Sequence, residues 1–165
     1  TSMRDLAQVL GIEAASLYSH IKSKEEILQK ICFRMADEFF EAWKDVESVQ
    51  TSASDKISKA AIAHVKVITR NTDASAVFFN EWRHLSEPHL SDFLAMRDDY
   101  EGRFIQIIKD GMASGEFEQV DAKFMMLTIL SSLNWTHNWY KPGGSLTPKE
   151  IGVRLSNLVL NGLKK

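Results

Sequence analysis

Residues 2–24 read SMRDLAQVLGIEAASLYSHIKSK and carry the most specific pattern of the chain. The apolar residues at positions 6, 7 and 10 form one stripe at helical spacing, and those at positions 17 and 21 form another. Gly11 lies between the stripes, where a helix can end in a left-handed turn because glycine has no Cβ. Ile12 follows, and we expect it to pack between the two helices. This spacing predicts a helix-turn-helix, a motif whose second helix enters the major groove of DNA.

The second helix of this motif, residues 14–20, presents mainly short side chains. Short side chains let a helix lie close to the bases and contact their edges through methyl groups and hydroxyls. The tyrosine, the histidine and the lysines at the end of the motif can reach phosphates, which fix the register on DNA rather than the sequence that is read. A helical hairpin with a solvated polar face has the same spacing, so spacing alone leaves both interpretations open.

The motif resembles the TetR family of bacterial repressors. The resemblance lies in residues 3–7 (MRDLA), 10–12 (LGI) and 17–25 (LYSHIKSKE), and a generic helix-turn-helix does not need the tyrosine and histidine of the last segment. The family has one more helix in this domain, which we expect to precede Thr1. The resemblance implies a repressor whose motif contacts both bases and phosphates. The predicted DNA-binding residues are Arg4, Ala14, Ala15 and Ser16 near the bases, Tyr18, His20 and Lys24 at phosphates, and Ser19 and Lys22 beside them.

Composition places the chain among ordinary globular proteins. It has 165 residues, 44% of them hydrophobic and 25% charged, and a formal net charge of -2. This charge excludes a strongly basic nucleic-acid binder, although residues 1–34 carry a net +1 and the remainder −3. The single cysteine, Cys32, excludes an intrachain disulfide framework and fits a reducing cytosol. No apolar run approaches the roughly 18 residues of a membrane span. We therefore expect a cytoplasmic, nucleoid-associated protein.

Apolar residues recur at helical spacing along the whole chain, and no alternating strand pattern is present. Capping-box patterns that begin at Ser2, Ser23, Ser52 and Thr147 mark helix starts. We predict an all-α fold, with a helix-turn-helix DNA-binding domain and its connecting helix at 1–46 and a helical-bundle ligand-binding and dimerisation domain at 47–165. The predicted helices after the motif are 24–46, 52–69, 74–85, 90–112, 121–140 and 147–163.

Aromatic and methionine side chains are concentrated on the apolar faces of the C-terminal helices. Packing into an ordinary core explains most of them, but bulky and adaptable side chains on facing helices can also line a cavity for an elongated apolar ligand. Arginines near these aromatics suit phosphate, or they are surface residues. Segments 78–85 and 134–144 resemble a TetR subgroup that senses acyl-CoA thioesters, which implies an acyl-CoA inducer. The predicted ligand-binding residues are Phe78, Phe79, Trp82, Arg83, Phe93, Arg97, Tyr100, Phe104, Met125, Trp135 and Trp139.

The last two long helices are predicted to form the interface of a homodimer. Small residues allow close helix approach and leucines supply apolar contact, so two helices from each partner can form a four-helix bundle. Burial within one subunit is the alternative, but a motif that reads palindromic DNA needs a two-fold partner. The predicted interface residues are Leu127, Ser131, Leu155, Leu158, Val159 and Gly162.

Two other functional classes remain open. A helical-bundle enzyme requires a metal or carboxylate cluster on facing helices, whereas a protein-interaction module requires only the hairpin. The histidines at positions 64, 84, 89 and 137 match no helical ligand pair, and nucleotide-binding and serine-hydrolase motifs are absent from the sequence. We therefore expect no catalytic residue, metal or cofactor. The expected partners are operator DNA, a small apolar ligand and a second copy of the chain, and not a membrane.

Overall fold

The computed structural model describes residues 2–13, 15, 16, 18 and 23–163, and within them the fold is all-α, which confirms the predicted class. None of the helices in this part of the chain is long and apolar enough to cross a membrane. A short 3-10 turn, Trp82–His84, lies between the fourth and fifth helices. The helices are α1 (Met3–Leu10), α2 (Lys24–Glu47), α3 (Ala53–Arg70), α4 (Thr72–Glu81), α5 (His89–Ala113), α6 (Ala122–Asn134), α7 (Thr136–Trp139) and α8 (Pro148–Leu163).

Local hydrogen bonds determine where several helices begin and end. The Ser2 hydroxyl accepts from the N–H of Asp5 at 3.2 Å, and the Asp5 carboxylate accepts from the N–H of Ser2 at 2.7 Å, which confirms the predicted capping box. Thr147 and Glu150 exchange the same pair of bonds at the start of α8. Gly11 ends α1 in the left-handed conformation, with a φ of 66°, as predicted.

The main core lies between α3, α5, α6 and α8, and α3 is the central helix because it also contacts α2. Gly152 permits the close approach of α8 to α3, since a Cβ at this position would lie 2.6 Å from the Cα of Ile62. Met35 and Phe39 of α2 pack against α3 in a second cluster. The long helix α2 therefore connects the motif to the rest of the chain and also forms part of the C-terminal core.

The first helix of the motif packs on α2 through a small contact. Met3 and Ala7 are buried and pack near Ile27. Leu10 is 61% exposed and Ile12 is 43% exposed, so the prediction that Ile12 packs between two helices is wrong. The reason is that this contact is confined to the first two turns of α1, and both residues lie beyond it.

Two predicted helices, 74–85 and 121–140, differ from the structure by more than one residue. The Asn71 side chain accepts a hydrogen bond from the N–H of Ala74 at 2.9 Å, so Asn71 caps α4 instead of only ending α3. The predicted helix 121–140 is interrupted at Trp135. At this break, Nδ1 of His137 lies 2.6 Å from the carbonyl oxygen of Asn134, a side-chain bond that competes with the helical backbone ladder.

Candidate functional site

A cavity of about 420 Å³ lies among α2 to α7, within the size range of small-molecule sites. Its wall is mainly aromatic. The ring centroid of Phe78 lies 5.4 Å from that of Phe39 and 5.3 Å from that of Phe93, in tilted and edge-on arrangements. Helix α2 contributes Ala36, Phe39 and Phe40 to this wall. An apolar molecule in the cavity would therefore touch the helix that follows the motif.

Tyr100, His64 and Asn134 form a hydrogen-bonded group in the cavity, here called the polar floor. The Tyr100 hydroxyl lies 2.9 Å from Nδ1 of His64, and Nε2 of His64 lies 2.8 Å from Oδ1 of Asn134. Because Oδ1 can only accept, Nε2 carries the hydrogen and Nδ1 accepts from the hydroxyl. Burial lowers the pKa of His64 to about 4, although the bond to Asn134 acts in the opposite direction. Burial raises the pKa of Tyr100 above its usual range. The polar floor is therefore uncharged at neutral pH.

Two arginines lie on the indole of Trp82 at the rim of the cavity. The Cζ atoms of Arg83 and Arg97 are 4.3 Å and 4.7 Å from the ring centroid, which is cation–π geometry. Nε of Arg97 is buried and makes no hydrogen bond. The same atom lies 3.4 Å from the carboxylate of Glu101, so the two side chains form an ion pair. Trp82 in turn stacks on Phe93 with centroids 5.9 Å apart. The rim can therefore hold an anionic group beside an apolar wall.

Three of the predicted ligand-binding residues lie away from the cavity, contrary to the prediction. Phe104 lies about one turn beyond the cavity residues of α5 and faces the main core. Its side chain is fully buried, and its ring centroid lies 4.8 Å from that of Trp43. Met125 packs against the same core. Trp139 is 42% exposed. His137 and Asn138, which precede it in α7, line the cavity instead. The predicted residues that line the cavity are Phe78, Phe79, Trp82, Arg83, Phe93, Arg97, Tyr100 and Trp135.

Sequence reasoning did not identify Phe39, His64, Asn134 or His137 as cavity residues. His64 gave a usable signal, because it is a polar residue on the apolar face of a predicted helix. Asn134 and His137 flank the break between α6 and α7, which helical periodicity does not reveal. Two of the three members of the polar floor were therefore missed.

The described part of the motif presents its predicted DNA-binding side chains to solvent. Tyr18 is 48% exposed, and the hydroxyl of Ser23 accepts from the N–H of Glu26 at 3.1 Å to cap the helix that begins at Lys24. Exposure is the condition that a contact with nucleic acid requires. Arg4, Ala15, Ser16 and Lys24 are exposed, whereas Ala14, Ser19, His20 and Lys22 lie outside the described residues.

An exposed apolar face, here called the α6/α8 face, lies on the two long C-terminal helices. Phe124 is 68% exposed, Leu127 46% and Leu158 73%. Ser131 is exposed but also lines the cavity, and a Cβ added at Gly162 would meet no atom within 4 Å. Exposed apolar side chains of this size commonly mark a protein interaction surface.

Leu155 and Val159, also predicted at the interface, have a different environment. Both are partly buried and pack against the main core of their own subunit. Their positions on α8 are four residues apart, so they share the side of the helix that is turned inward. Both residues therefore contribute to the core, and their place at a dimer interface stays a prediction.

The chain is similar to known proteins over its whole length. The family profile described as "Tetracyclin repressor-like, C-terminal domain" matches residues 50–163. The HTH-type transcriptional repressor KstR2 of Mycolicibacterium smegmatis is 27% identical over 165 residues, which cover 99% of this chain and 80% of the relative. The crystal structure of the TetR family transcriptional regulator PfmR from Thermus thermophilus superposes with a TM-score of 0.86 and 30% identity, over 100% of this chain and 90% of that one. The fold is also that of AibR in complex with isovaleryl coenzyme A and operator DNA, with a TM-score of 0.82 and 22% identity over 96% and 86% of the two chains.

The fold and the site define a helix-turn-helix protein with a helical C-terminal domain built around an apolar cavity. The profile covers more than half of the chain, and the chain belongs to the TetR family of transcriptional regulators. Membership of this family identifies a regulator and excludes the helical-bundle enzyme that the sequence left open. Within the described ranges, no group of three His, Cys, Asp or Glu side chains could hold a metal ion.

Proposed function

We propose that the chain is a homodimeric repressor that leaves its operator when a small effector, an acyl-CoA, binds with its apolar acyl group in the cavity. The observation that carries this proposal is the double role of α2. This helix follows the motif directly, and its residues Ala36, Phe39 and Phe40 form part of the cavity wall. The KstR2 relative is a transcriptional repressor, which supports repression rather than activation.

The chemistry of the cavity favours a thioester with an apolar acyl group. The aromatic wall suits the hydrocarbon, and Arg83 and Arg97 at the rim suit the phosphate oxygens of the remaining part of the molecule. AibR, which shares the fold, is known in complex with isovaleryl coenzyme A and operator DNA. We assign the acyl group to the cavity and the coenzyme A portion to the rim.

A buried cluster connects the cavity to the end of α2 that is nearest the motif. Phe93 lines the cavity and packs with Leu85 and Cys32, and Cys32 belongs to α2. A ligand that displaces Phe93 would therefore act on α2 a few turns from the reading motif. In this mechanism, the ligand stabilises an arrangement of α2 in which the two motifs of the dimer no longer match the two half-sites.

We assign the dimer interface to the α6/α8 face and the DNA contacts to the exposed motif. A two-fold partner would provide two reading motifs for half-sites about 34 Å apart. Phosphate contacts are assigned to Tyr18, His20 and Lys24. Base-proximal contacts are assigned to Arg4, Ala14, Ala15 and Ser16, with Ser19 and Lys22 beside them.

A mobility-shift titration tests this proposal, with a duplex operator selected from a random library and decanoyl-CoA as the ligand. We expect decanoyl-CoA to release the protein from the operator. We also expect the Tyr18→Phe, Lys24→Ala double variant to bind the operator about tenfold more weakly and with a smaller salt slope. Lys30→Ala is the control, because the Lys30 ammonium pairs with Glu26 of the same helix at 2.8 Å.

Two results would contradict separate parts of the proposal. Operator affinity that is unchanged by decanoyl-CoA and by shorter and longer acyl-CoA esters would exclude the acyl-CoA effector. Full DNA affinity of the double variant would exclude the assigned phosphate contacts, whereas failure to select any operator from the library would favour the alternative that the motif is a protein-interaction hairpin.

A further inference from the structure

We infer that the polar floor selects an effector whose hydrocarbon body carries an uncharged oxygen, as a ketone or a hydroxyl, and that Asn134 is the residue that recognises this oxygen. The inference rests on the proposed function of the cavity as the effector site. It adds the chemical class of the part of the effector that lies inside the cavity.

The amide nitrogen of Asn134 is available to a ligand. Oδ1 of Asn134 accepts from His64 at 2.8 Å, and within the described residues this is the only hydrogen bond of the Asn134 side chain. Among the described residues, the fully buried side-chain atoms that lack a hydrogen bond belong to Ser54, Arg97 and Thr136. Nδ2 of Asn134 also lacks a hydrogen bond but is not among them, so this nitrogen is accessible. Asn134 lines the cavity, and we assign its unpaired amide nitrogen to the ligand.

The hydroxyl oxygen of Tyr100 provides the complementary acceptor. Its hydrogen is used in the bond to Nδ1 of His64 at 2.9 Å, so the oxygen keeps only acceptor capacity. A ketone oxygen can therefore bind to Asn134 alone. A hydroxyl can accept from Asn134 and also donate to Tyr100.

The polar floor itself contains no charged side chain. His64 is 3% exposed and stacks on Phe39 with ring centroids 4.5 Å apart. The ionised side chains among the described residues that line the cavity are Arg83, Arg97 and Glu101, all on the 3-10 turn or α5. A carboxylate or ammonium at the polar floor would thus lose its hydration, and no member of the floor supplies an opposite charge.

A plain hydrocarbon at the polar floor is also disfavoured. Such a ligand would displace water from Nδ2 of Asn134 and leave this donor unpaired, and an unpaired buried donor is costly. The polar floor therefore discriminates in two directions, against apolar groups that offer no oxygen and against groups that carry charge.

Binding of matched acids to the full-length protein tests this inference. Decanoate, 9-oxodecanoate and decanedioate share one carboxylate for the arginine rim and differ only at the far end, and shorter and longer homologues remove chain length as a variable. Isothermal titration calorimetry at pH 7 should show that the oxo acid binds about tenfold tighter than decanoate, and decanedioate the weakest. Asn134→Leu should abolish the preference for the oxo acid, whereas Asn80→Leu, the same change at an exposed cavity residue, should retain it.

Tyr100→Phe provides a second test that does not alter Asn134. This variant should lose affinity for 9-hydroxydecanoate and keep its affinity for 9-oxodecanoate, because only the hydroxyl can donate to the Tyr100 oxygen. If Asn134→Leu does not fold, this comparison decides. Equal binding of the acids by the wild-type protein, no binding of any of them, or an unchanged preference in a folded Asn134→Leu variant would overturn the inference.

The probes contain no coenzyme A, so the two proposals can fail separately. Failure of every acyl-CoA ester to release the operator, together with selective binding of the oxo acid, would contradict only the proposed acyl-CoA effector. Release by decanoyl-CoA together with equal binding of the acids would contradict only the role of the polar floor.

Discussion

The carboxylate of Glu25, in the first turn of α2, accepts a hydrogen bond from the backbone N–H of Ser86 at 3.1 Å. One turn further along α2, Nε2 of Gln29 lies 3.3 Å from Nδ1 of His89. These contacts join the motif-proximal end of α2 to the segment between the 3-10 turn and α5 and to the first residue of α5. Trp82, at the start of that 3-10 turn, lines the cavity. The Glu25–Ser86 bond therefore lies between the proposed effector site and the reading motif.

Glu25→Ala should weaken the coupling between ligand and DNA without unfolding the protein. We expect the ratio of operator affinities without and with decanoyl-CoA to fall about threefold, because allosteric couplings of this kind are typically 5–150-fold and this bond is one of several. Fluorescence anisotropy with a labelled operator measures both affinities. Lys30→Ala is the control, since its ion pair with Glu26 does not leave α2. An unchanged ratio in Glu25→Ala would show that the bond carries no coupling.

Trp82→Leu should impair ligand binding, because the indole supports both rim arginines at 4.3 Å and 4.7 Å. We expect the affinity for decanoyl-CoA to fall about tenfold through loss of the stacked guanidinium groups and of aromatic surface. Trp139→Leu is a matched control, because Trp139 is 42% exposed and lies outside the cavity lining. Calorimetry provides the affinities, and equal losses in both variants would argue against a specific role for Trp82.

His64 should make the protein less stable as the pH falls. Burial lowers the pKa of His64 in the folded state to about 4, whereas the unfolded side chain titrates near its ordinary value of 6.5. Between these values the unfolded state binds the extra proton, so the free energy of unfolding decreases from pH 6.5 toward pH 4 by on the order of 3 kcal/mol. Urea titrations across this range should show that His64→Gln lacks this decrease.

His84→Gln is the control for this pH dependence, because the His84 side chain is 75% exposed. This variant should follow the wild-type curve of unfolding free energy against pH. An equally steep decrease in His64→Gln would assign the pH dependence to other groups.

Local chemistry explains why most helix starts could be predicted. Ser52 accepts from the N–H of Asp55 at 3.1 Å, and Asp121 accepts from the N–H of Phe124 at 3.0 Å, as the sequence patterns indicated. Such caps involve residues no more than three positions apart, so the sequence contains all the information that they require. The break at Trp135 is different, because no proline or glycine marks it.

The composition of the cavity depends on contacts between residues that are far apart in sequence. Phe104 and Tyr100 lie one turn apart on α5, yet Phe104 faces the main core and Tyr100 reaches His64, 36 residues earlier. His64 and Asn134 are separated by 70 residues. Helical periodicity identifies an apolar face but not which neighbouring helix covers it. Aromatic residues were therefore predicted at the cavity too broadly, and His64 and Asn134 of the polar floor were missed.

Gly152→Ala should destabilise the contact between α3 and α8. A Cβ at Gly152 would lie 2.6 Å from the Cα and 2.9 Å from the backbone nitrogen of Ile62, and neither backbone atom can move without shifting a helix. We expect the free energy of unfolding to fall by about 1–3 kcal/mol, measured by urea denaturation. Gly102→Ala should instead be neutral or stabilising by up to about 1 kcal/mol, because a Cβ there meets nothing within 4 Å. Equal effects of the two substitutions would exclude close packing as the cause.

Leu158→Glu should separate the proposed dimer and thereby weaken DNA binding. Leu158 is 73% exposed in one subunit, so a charge there costs little in the monomer but would be buried without a partner in a bundle of α6 and α8. Analytical ultracentrifugation should show a monomer, and operator affinity should fall by more than about tenfold because a single motif reads only one half-site. Asn157→Glu is the control, since it introduces the same charge at an exposed neighbour that points to another side of α8. A Leu158→Glu variant that remains dimeric would place the interface elsewhere, and a monomer with full operator affinity would show that dimerisation is not needed for DNA recognition.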